Sequence, residues 1–396
     1  MIRSRSSRLI EPFAALCAFL SAFSVQAQEL GHGVQAHGFI DQSLVHTSDN
    51  NVGGESDDSL TSELREMGAN LSWRPNPDWL VSGQVLARWA GEADRGKLRL
   101  DYGFVDRTLI ATGDSQMGLR LGKIKNPYGF YNTTRDVAHT RPGIIMPQSV
   151  YPDQMRNFFL AAPGFSLYGN SENDHGNISW QISALRPEVD DPSLEYVFLI
   201  GDRAGRFEGK NSWLSQIMFD MDGRWRMGLS LGEMKMGYKP SAFGDIEIAG
   251  NHRLPTWVLS LEHNTEDWSF TAEYGQTKVD ASGYRIFNTN HTTEAMYAQA
   301  TRRIANGWQG YLRYDVLYFD KDDRDGAGFS ARLRLPAYSR FAKDWVLGVR
   351  RDIDSLALSA ELHSVDGTAW LAQSDNPTAG LVRRWDMLLL QAAWRF

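Results

Sequence analysis

The sequence predicts an all-β chain that closes into a transmembrane antiparallel β-barrel of about sixteen strands. Three observations carry this. Apolar residues alternate with polar ones over runs of about ten residues, the length of a tilted strand crossing a bilayer. The connections between runs alternate between short and long. Tryptophans gather at the ends of the runs rather than in their middles.

The alternation starts at Val34. Trp79, Val81, Gly83, Val85, Ala87 and Trp89 share one face, and Leu80, Ser82, Gln84, Leu86 and Arg88 the other. The same period of two recurs at Ile178–Ala184, Trp225–Leu231, Trp268–Tyr274, Leu312–Tyr318 and Leu356–Leu362. It places strands at 34–44, 62–73, 79–90, 97–110, 116–123, 163–170, 176–186, 211–221, 224–237, 254–264, 267–279, 291–304, 307–320, 342–352, 355–366 and 384–396. Short turns such as Asp222–Gly223, Ala305–Asn306 and Ile353–Asp354 alternate with long loops such as 45–61, 124–162 and 321–341. A barrel with one short-turn rim and one long-loop rim has this rhythm, and both termini on the short-turn rim require an even strand number. Trp79, Trp225, Trp268 and Trp308 open strands after short turns, and Trp89, Trp213, Trp257, Trp345 and Trp385 lie near the long-loop ends. Indole prefers headgroup depth, where its ring is apolar and its N–H finds a partner, so the two bands read as girdles.

Composition narrows the rest. No run of eighteen apolar residues follows the N-terminus, so a spanning helix is not expected. Arg3, Arg5 and Arg8, the apolar stretch Phe13 to Phe23 and Val25-Gln26-Ala27 form the basic, apolar and cleavage regions of a signal peptide. Residues 1–27 are therefore expected to be removed during export to the bacterial outer membrane, leaving 28–396 as one barrel domain. The single cysteine, Cys17, lies in that leader, which leaves no disulfide, thiol chemistry or cysteine metal site. Without residues 1–27 the basic residues fall from 41 to 38 and the acidic from 48 to 47, a net charge of −9. An acidic exported chain is a poor nucleic-acid binder. The acidic runs Asp49 to Asp58 and Asp320 to Asp325 lack the ligand spacing of a calcium loop and read as solvated loop tips, with lipopolysaccharide as a neighbour. HExxH and P-loop patterns are absent, and no cofactor or metal is expected.

One stretch does not fit a strand or a solvated loop. Lys123 to Asn157 contains Pro127, Pro142, Pro147 and Pro152, five basic residues, two acids and a set of Tyr, Phe, Ile and Met side chains. Proline blocks a regular element, and such apolar content is costly in water. The segment is expected to fold against the inner wall. Its charges are Lys123, Lys125, Arg135, Asp136, Arg141, Asp153 and Arg156, and all but Lys123 are assigned to the pore constriction. The alternation directs Arg88, Arg99, Arg107, Arg120, Arg226, Arg313, Arg350, Asp101, Glu262, Glu273, Asp315 and Glu361 to the lumen. Guanidinium groups match carboxylate, sulfate or phosphate, which suggests a mild anion preference. The same arginines could instead pair with the acids and only hold the loop in place.

The chain ends Leu388, Leu390, Ala392, Trp394 and Phe396 on one face. A terminal Phe with an aromatic residue two positions earlier resembles the C-terminal strand of Gram-negative outer-membrane porins. That resemblance implies passive diffusion of small hydrophilic solutes and no enzymatic activity. It also implies an inward-folded third loop, recognition of Trp394 and Phe396 by the barrel-assembly machinery, embedding in outer-membrane lipids and a homotrimer. A non-conducting structural or adhesion barrel and an outer-membrane barrel hydrolase are the alternatives.

Overall fold

A computed structural model describes residues 28–396 apart from 192 and 202. The expected leader, 1–27, lies outside the described residues. Eighteen strands follow in chain order: β1 (Gln28–Gly31), β2 (Val34–Thr47), β3 (Arg65–Asn76), β4 (Trp79–Trp89), β5 (Arg99–Ala111), β6 (Ser115–Lys125), β7 (Ala161–Asn173), β8 (Gly176–Leu185), β9 (Arg206–Gly209), β10 (Ser212–Met221), β11 (Trp225–Lys239), β12 (Gly250–Asn264), β13 (Trp268–Ser282), β14 (Thr289–Arg303), β15 (Trp308–Tyr318), β16 (Phe341–Ile353), β17 (Leu356–Gly367) and β18 (Arg384–Arg395). All pair antiparallel. β1 is a short arm folded onto β2, and β9 is a rim ribbon paired with the end of β11. The other sixteen close a barrel, with β8 pairing directly to β10 and β18 to β2.

The rhythm of the connections is the expected one. Residues 77–78, 112–114, 174–175, 222–224, 265–267, 304–307 and 354–355 form the short rim. Asp222-Gly223 and Asn306-Gly307 supply the left-handed φ values, +51° and +69°, +62° and +76°, that a tight hairpin turn requires. The opposite rim carries 48–64, 90–98, 126–160, 186–211, 240–249, 283–288, 319–340 and 368–383.

The outer face is apolar and accessible. Leu121, Phe165, Ile182, Leu259, Leu347 and Leu362 are all more than half exposed, which only a lipid surround makes tolerable. Trp79, Trp268 and Trp308 lie on this face near the short rim, and Trp213 and Trp345 near the long-loop rim. Trp385 departs from the expected girdle. It shares its parity with Met387 and Leu389, faces the lumen at 2% exposure and packs on Trp370. Proximity to the rim suggested a headgroup position, but the side of the pleat decided otherwise.

The seam between first and last barrel strands is made at the C-terminus. Gly38 N–H donates to the Phe396 carbonyl at 2.8 Å and Phe396 N–H to the Gly38 carbonyl at 2.9 Å. The Phe396 ring lies over Gly38, where a Cβ would fall 2.4 Å from it, so the last side chain fits only because Gly38 has none. Its ring also packs on Trp394, with centroids 4.6 Å apart.

Candidate functional site

The lumen is not an empty water column. Residues 126–160 leave β6, cross the interior and fill much of its middle. Prolines keep the segment irregular, so its backbone N–H and C=O groups must find partners on the barrel wall. They do. Gly129 N–H donates to Ser230 Oγ on β11 at 3.0 Å, and Gln216 on β10 donates to the Gly129 carbonyl at 2.7 Å. Gly129 is left-handed, with φ +57°, and a Cβ there would collide with the Tyr151 hydroxyl. Phe130 N–H and the Tyr151 hydroxyl donate to Glu273 on β13 at 2.9 and 2.5 Å. Ser149 N–H reaches Asp315 on β15 at 3.4 Å, and Arg313 donates to the Ile145 carbonyl at 3.1 Å. Glu361 on β17 accepts from both Ile144 and Ile145 N–H, at 3.0 and 3.2 Å.

These contacts change the role of the expected wall charges. Glu273, Asp315, Glu361 and Arg313 do face inward, but at 4% exposure or less they are covered by the loop and hold it. Arg88, Arg99, Arg120, Arg226, Arg350, Asp101 and Glu262 are inward too. Arg120 pairs with Asp106 at 2.7 Å and Arg226 with Glu262 at 3.5 Å, while Arg350 pairs with Asp352 and donates to the His139 carbonyl. Arg107 is the exception: it faces outward over Trp79. A bulge opposite Gln84/Val85 inserts one residue into β5, so Arg99 and Asp101 stay inward while Val105 and Arg107 turn outward.

The loop's own charges converge on the β2–β5 side. Arg141 pairs with Glu66 of β3 and donates to the Arg135 carbonyl at 2.6 Å. Arg135 donates to Asp153 at 2.8 Å and to the Tyr151 carbonyl. Lys125 pairs with Asp136 at 2.5 Å, and Gln84 donates to the same carboxylate. Arg88 bridges Glu66 at 2.6 Å and Asp153 at 3.3 Å. Burial pushes the Asp153 carboxyl up, but the Arg88 and Arg135 guanidiniums outweigh it and hold Asp153 below the usual range. Burial draws Arg135 down to about 10 against the pull of Asp153, so it stays charged at neutral pH. Burial likewise takes His139 down to about 4 with help from Arg350, leaving it neutral.

Two chambers meet across this loop. The outer one is lined by Asp41, Glu66, Arg88, Arg135, Arg156 and Trp370 among others, and the inner one by Glu262, Thr271, Arg303, Tyr311, Arg350 and Ala393 among others. Arg141 and Gln391 line both.

Loops other than 126–160 also enter the lumen. Leu194, Phe198 and Leu199 of the helix Ser193–Leu199 are buried in the same apolar cluster as Ile144, Ile145 and Phe159, together with Trp370 and Leu371. The sequence reading missed them. The signal was present in Met234, Met236, Leu254, Val258 and Val279. These apolar residues sit on the inward parity near the long-loop rim, where a water-filled lumen would have polar ones.

No family model matches the sequence, and no curated protein matches it. Solved structures do. The anion-selective porin of Comamonas acidovorans superposes with a TM-score of 0.56 at 13% identity, over 92% of this chain and 99% of that one. The outer-membrane channel DcaP of Acinetobacter baumannii gives 0.58 at 12% identity, over 94% and 100%. OmpF of Salmonella typhi gives 0.55 at 12% identity, over 92% and 98%. The chain has the fold of Gram-negative outer-membrane porins.

Proposed function

We propose that this chain is an outer-membrane porin through which small hydrophilic solutes diffuse passively, with a mild preference for anions. The observation that carries the reading is the pair of lumenal chambers, one from each rim, that share Arg141 and Gln391. The constriction in this reading lies there, between the loop and the β18–β2–β3 wall. Lys125, Arg135, Asp136 and Asp153 set the loop's shape, Arg156 lines the outer chamber, and Arg141 faces the path. The anion preference rests on the inner chamber, which carries Arg141, Arg303 and Arg350 against Glu262 alone. The outer chamber balances Arg88, Arg135, Arg141 and Arg156 against Asp41, Glu66, Asp153 and Asp375. Fixed charge near a narrow passage sets which ions enter it. A neighbour of the same fold is described as an anion-selective porin. Export by a cleaved leader ending at Ala27, assembly through Trp394 and Phe396, contact with lipopolysaccharide and a homotrimer complete the proposal.

Planar-bilayer recording in a salt gradient tests it. Stable unit steps with a reversal potential of anion sign are expected. A cation-sign potential refutes the preference. The absence of steps refutes the channel and favours a plugged barrel, the reading that the packing of residues 126–160 and of Leu194, Phe198 and Leu199 inside the lumen supports. A hydrolase finds no support at His363, which is 3% exposed and held between Asp344 at 2.8 Å and Glu361 at 3.2 Å.

A further inference from the structure

Arg156 differs from the other arginines of the outer chamber. Arg88, Arg135 and Arg141 each donate hydrogen bonds to a carboxylate or a carbonyl. Arg156 is 3% exposed, yet neither Nη1 nor Nη2 has a hydrogen-bond partner. Its nearest carboxylate oxygen, on Glu66, is 3.7 Å away, which is an ion pair but too long for a hydrogen bond. A buried guanidinium with an empty fork is costly unless something occupies it, and its geometry matches a carboxylate. The indole N–H of Trp370 is also without an acceptor at 7% exposure.

Trp370 and Gln154 line both the outer chamber and a second one beside it. This second chamber is mainly apolar, with His291 and Arg340 among its lining residues. Val150, Phe159, Phe198, Leu254, Val279 and Leu317 line it, and it is partly open to the exterior. An apolar chamber gains nothing from a hydrophilic solute, whereas each methylene it takes from water contributes about 0.8 kcal/mol. A free carboxylate-matching fork therefore stands beside an apolar compartment, with an unpartnered indole N–H between them.

We propose that the outer mouth holds a bipartite site for amphipathic monocarboxylates, the carboxylate on the Arg156 fork and the Trp370 N–H, the hydrocarbon body in the chamber under residues 193–199. The site rests on the channel reading only for its role as a point of entry. Its binding does not require conduction.

Calorimetry on the full-length, detergent-purified barrel tests it with hexanoate, acetate and hexylammonium. Hexanoate is expected to bind at least about tenfold more tightly than acetate. Hexylammonium, which lacks the anion, is expected to bind no better than acetate. Arg156→Gln should weaken hexanoate about tenfold, the scale of a lost charged hydrogen bond. Ala295→Phe, which fills the apolar chamber, should bring hexanoate down to the acetate level. Arg156→Lys keeps the charge without the fork and should recover only part of the loss. Hexanoate and acetate binding alike, or undiminished binding to folded Arg156→Gln, each overturns the site. The wild-type series alone decides the matter if a variant does not fold. Conductance without hexanoate preference sinks this site and leaves the channel reading intact. Hexanoate binding without conductance does the reverse.

Discussion

The two sides of the loop 126–160 use charge in opposite ways. Toward β13, β15 and β17 the wall supplies acids, and the loop offers mostly backbone N–H and hydroxyl groups to them. Toward β3 and β4 the loop supplies arginines, and wall and loop carboxylates answer them in a network of several charges. The first side is a latch: each acid satisfies donors that an irregular segment cannot satisfy itself. The second side holds more charge than attachment needs, and Arg141 stands where the two chambers meet. The same residue types thus serve as anchors on one wall and as candidates for solute contact on the other.

Breaking the latch should have the largest effect. Glu361→Ala removes the acceptor for Ile144, Ile145 and the Tyr311 hydroxyl and leaves Arg313 and His363 beside a lost charge. A loss of roughly 3 kcal/mol is expected from breaking a buried network of this kind, read as a lower midpoint in denaturant by heat-modifiable electrophoretic mobility. Glu361→Gln, which keeps the shape, should lose clearly less.

Deleting Thr133–Gln148 removes both sides of the loop's tip together. Unit conductance should then rise several-fold, by the logic that the narrowest section sets the flux. Unchanged conductance would mean that residues 186–211 or 368–383, not this loop, limit the passage.

Arg141→Ala tests the arginine side alone. Fold stability should change little compared with Glu361→Ala, because Glu66 keeps Arg88 at 2.6 Å. The reversal potential should move toward cations, and an unmoved potential would make Arg141 an anchor like the rest.

The smallest effect is one of pH. Burial pushes Asp375, at the outer mouth, up to about 6. It is neutral below that pH and charged above, so acidification removes one negative charge from the entrance. Anion preference should increase modestly between pH 7.5 and pH 5, and Asp375→Asn should show the low-pH value throughout. For stability the sign is also fixed. A carboxyl raised above its unfolded pKa favours the folded state at low pH, and that contribution fades as pH rises through about 6.

Most of the barrel was legible from sequence because its determinants are local. Strand parity, Asp-Gly and Asn-Gly turns and the spacing of Trp79, Trp268 and Trp308 each depend on neighbours in the chain. Parity failed only where it was interrupted or ignored, at Arg107 beyond the β5 bulge and at Trp385, where rim position was weighed above face. The candidate site was legible in its residues but not in their pairing. Nothing local indicates that Glu361 lies under Ile144, 217 positions away, or that Arg313 meets Ile145 across 168.

By itself the sequence determined that this chain alternates, turns tightly on one rim, carries long loops on the other and contains one segment too apolar and too rich in proline to remain outside. Tertiary structure decided which charges that segment would spend on attachment. A strand's face follows from a two-residue period that every stretch of chain carries within it. The partner of an irregular loop's N–H depends on barrel closure, which brings β13, β15 and β17 opposite residues far away in sequence. Only that closure separates the acids that anchor the loop from the arginines that face the two chambers.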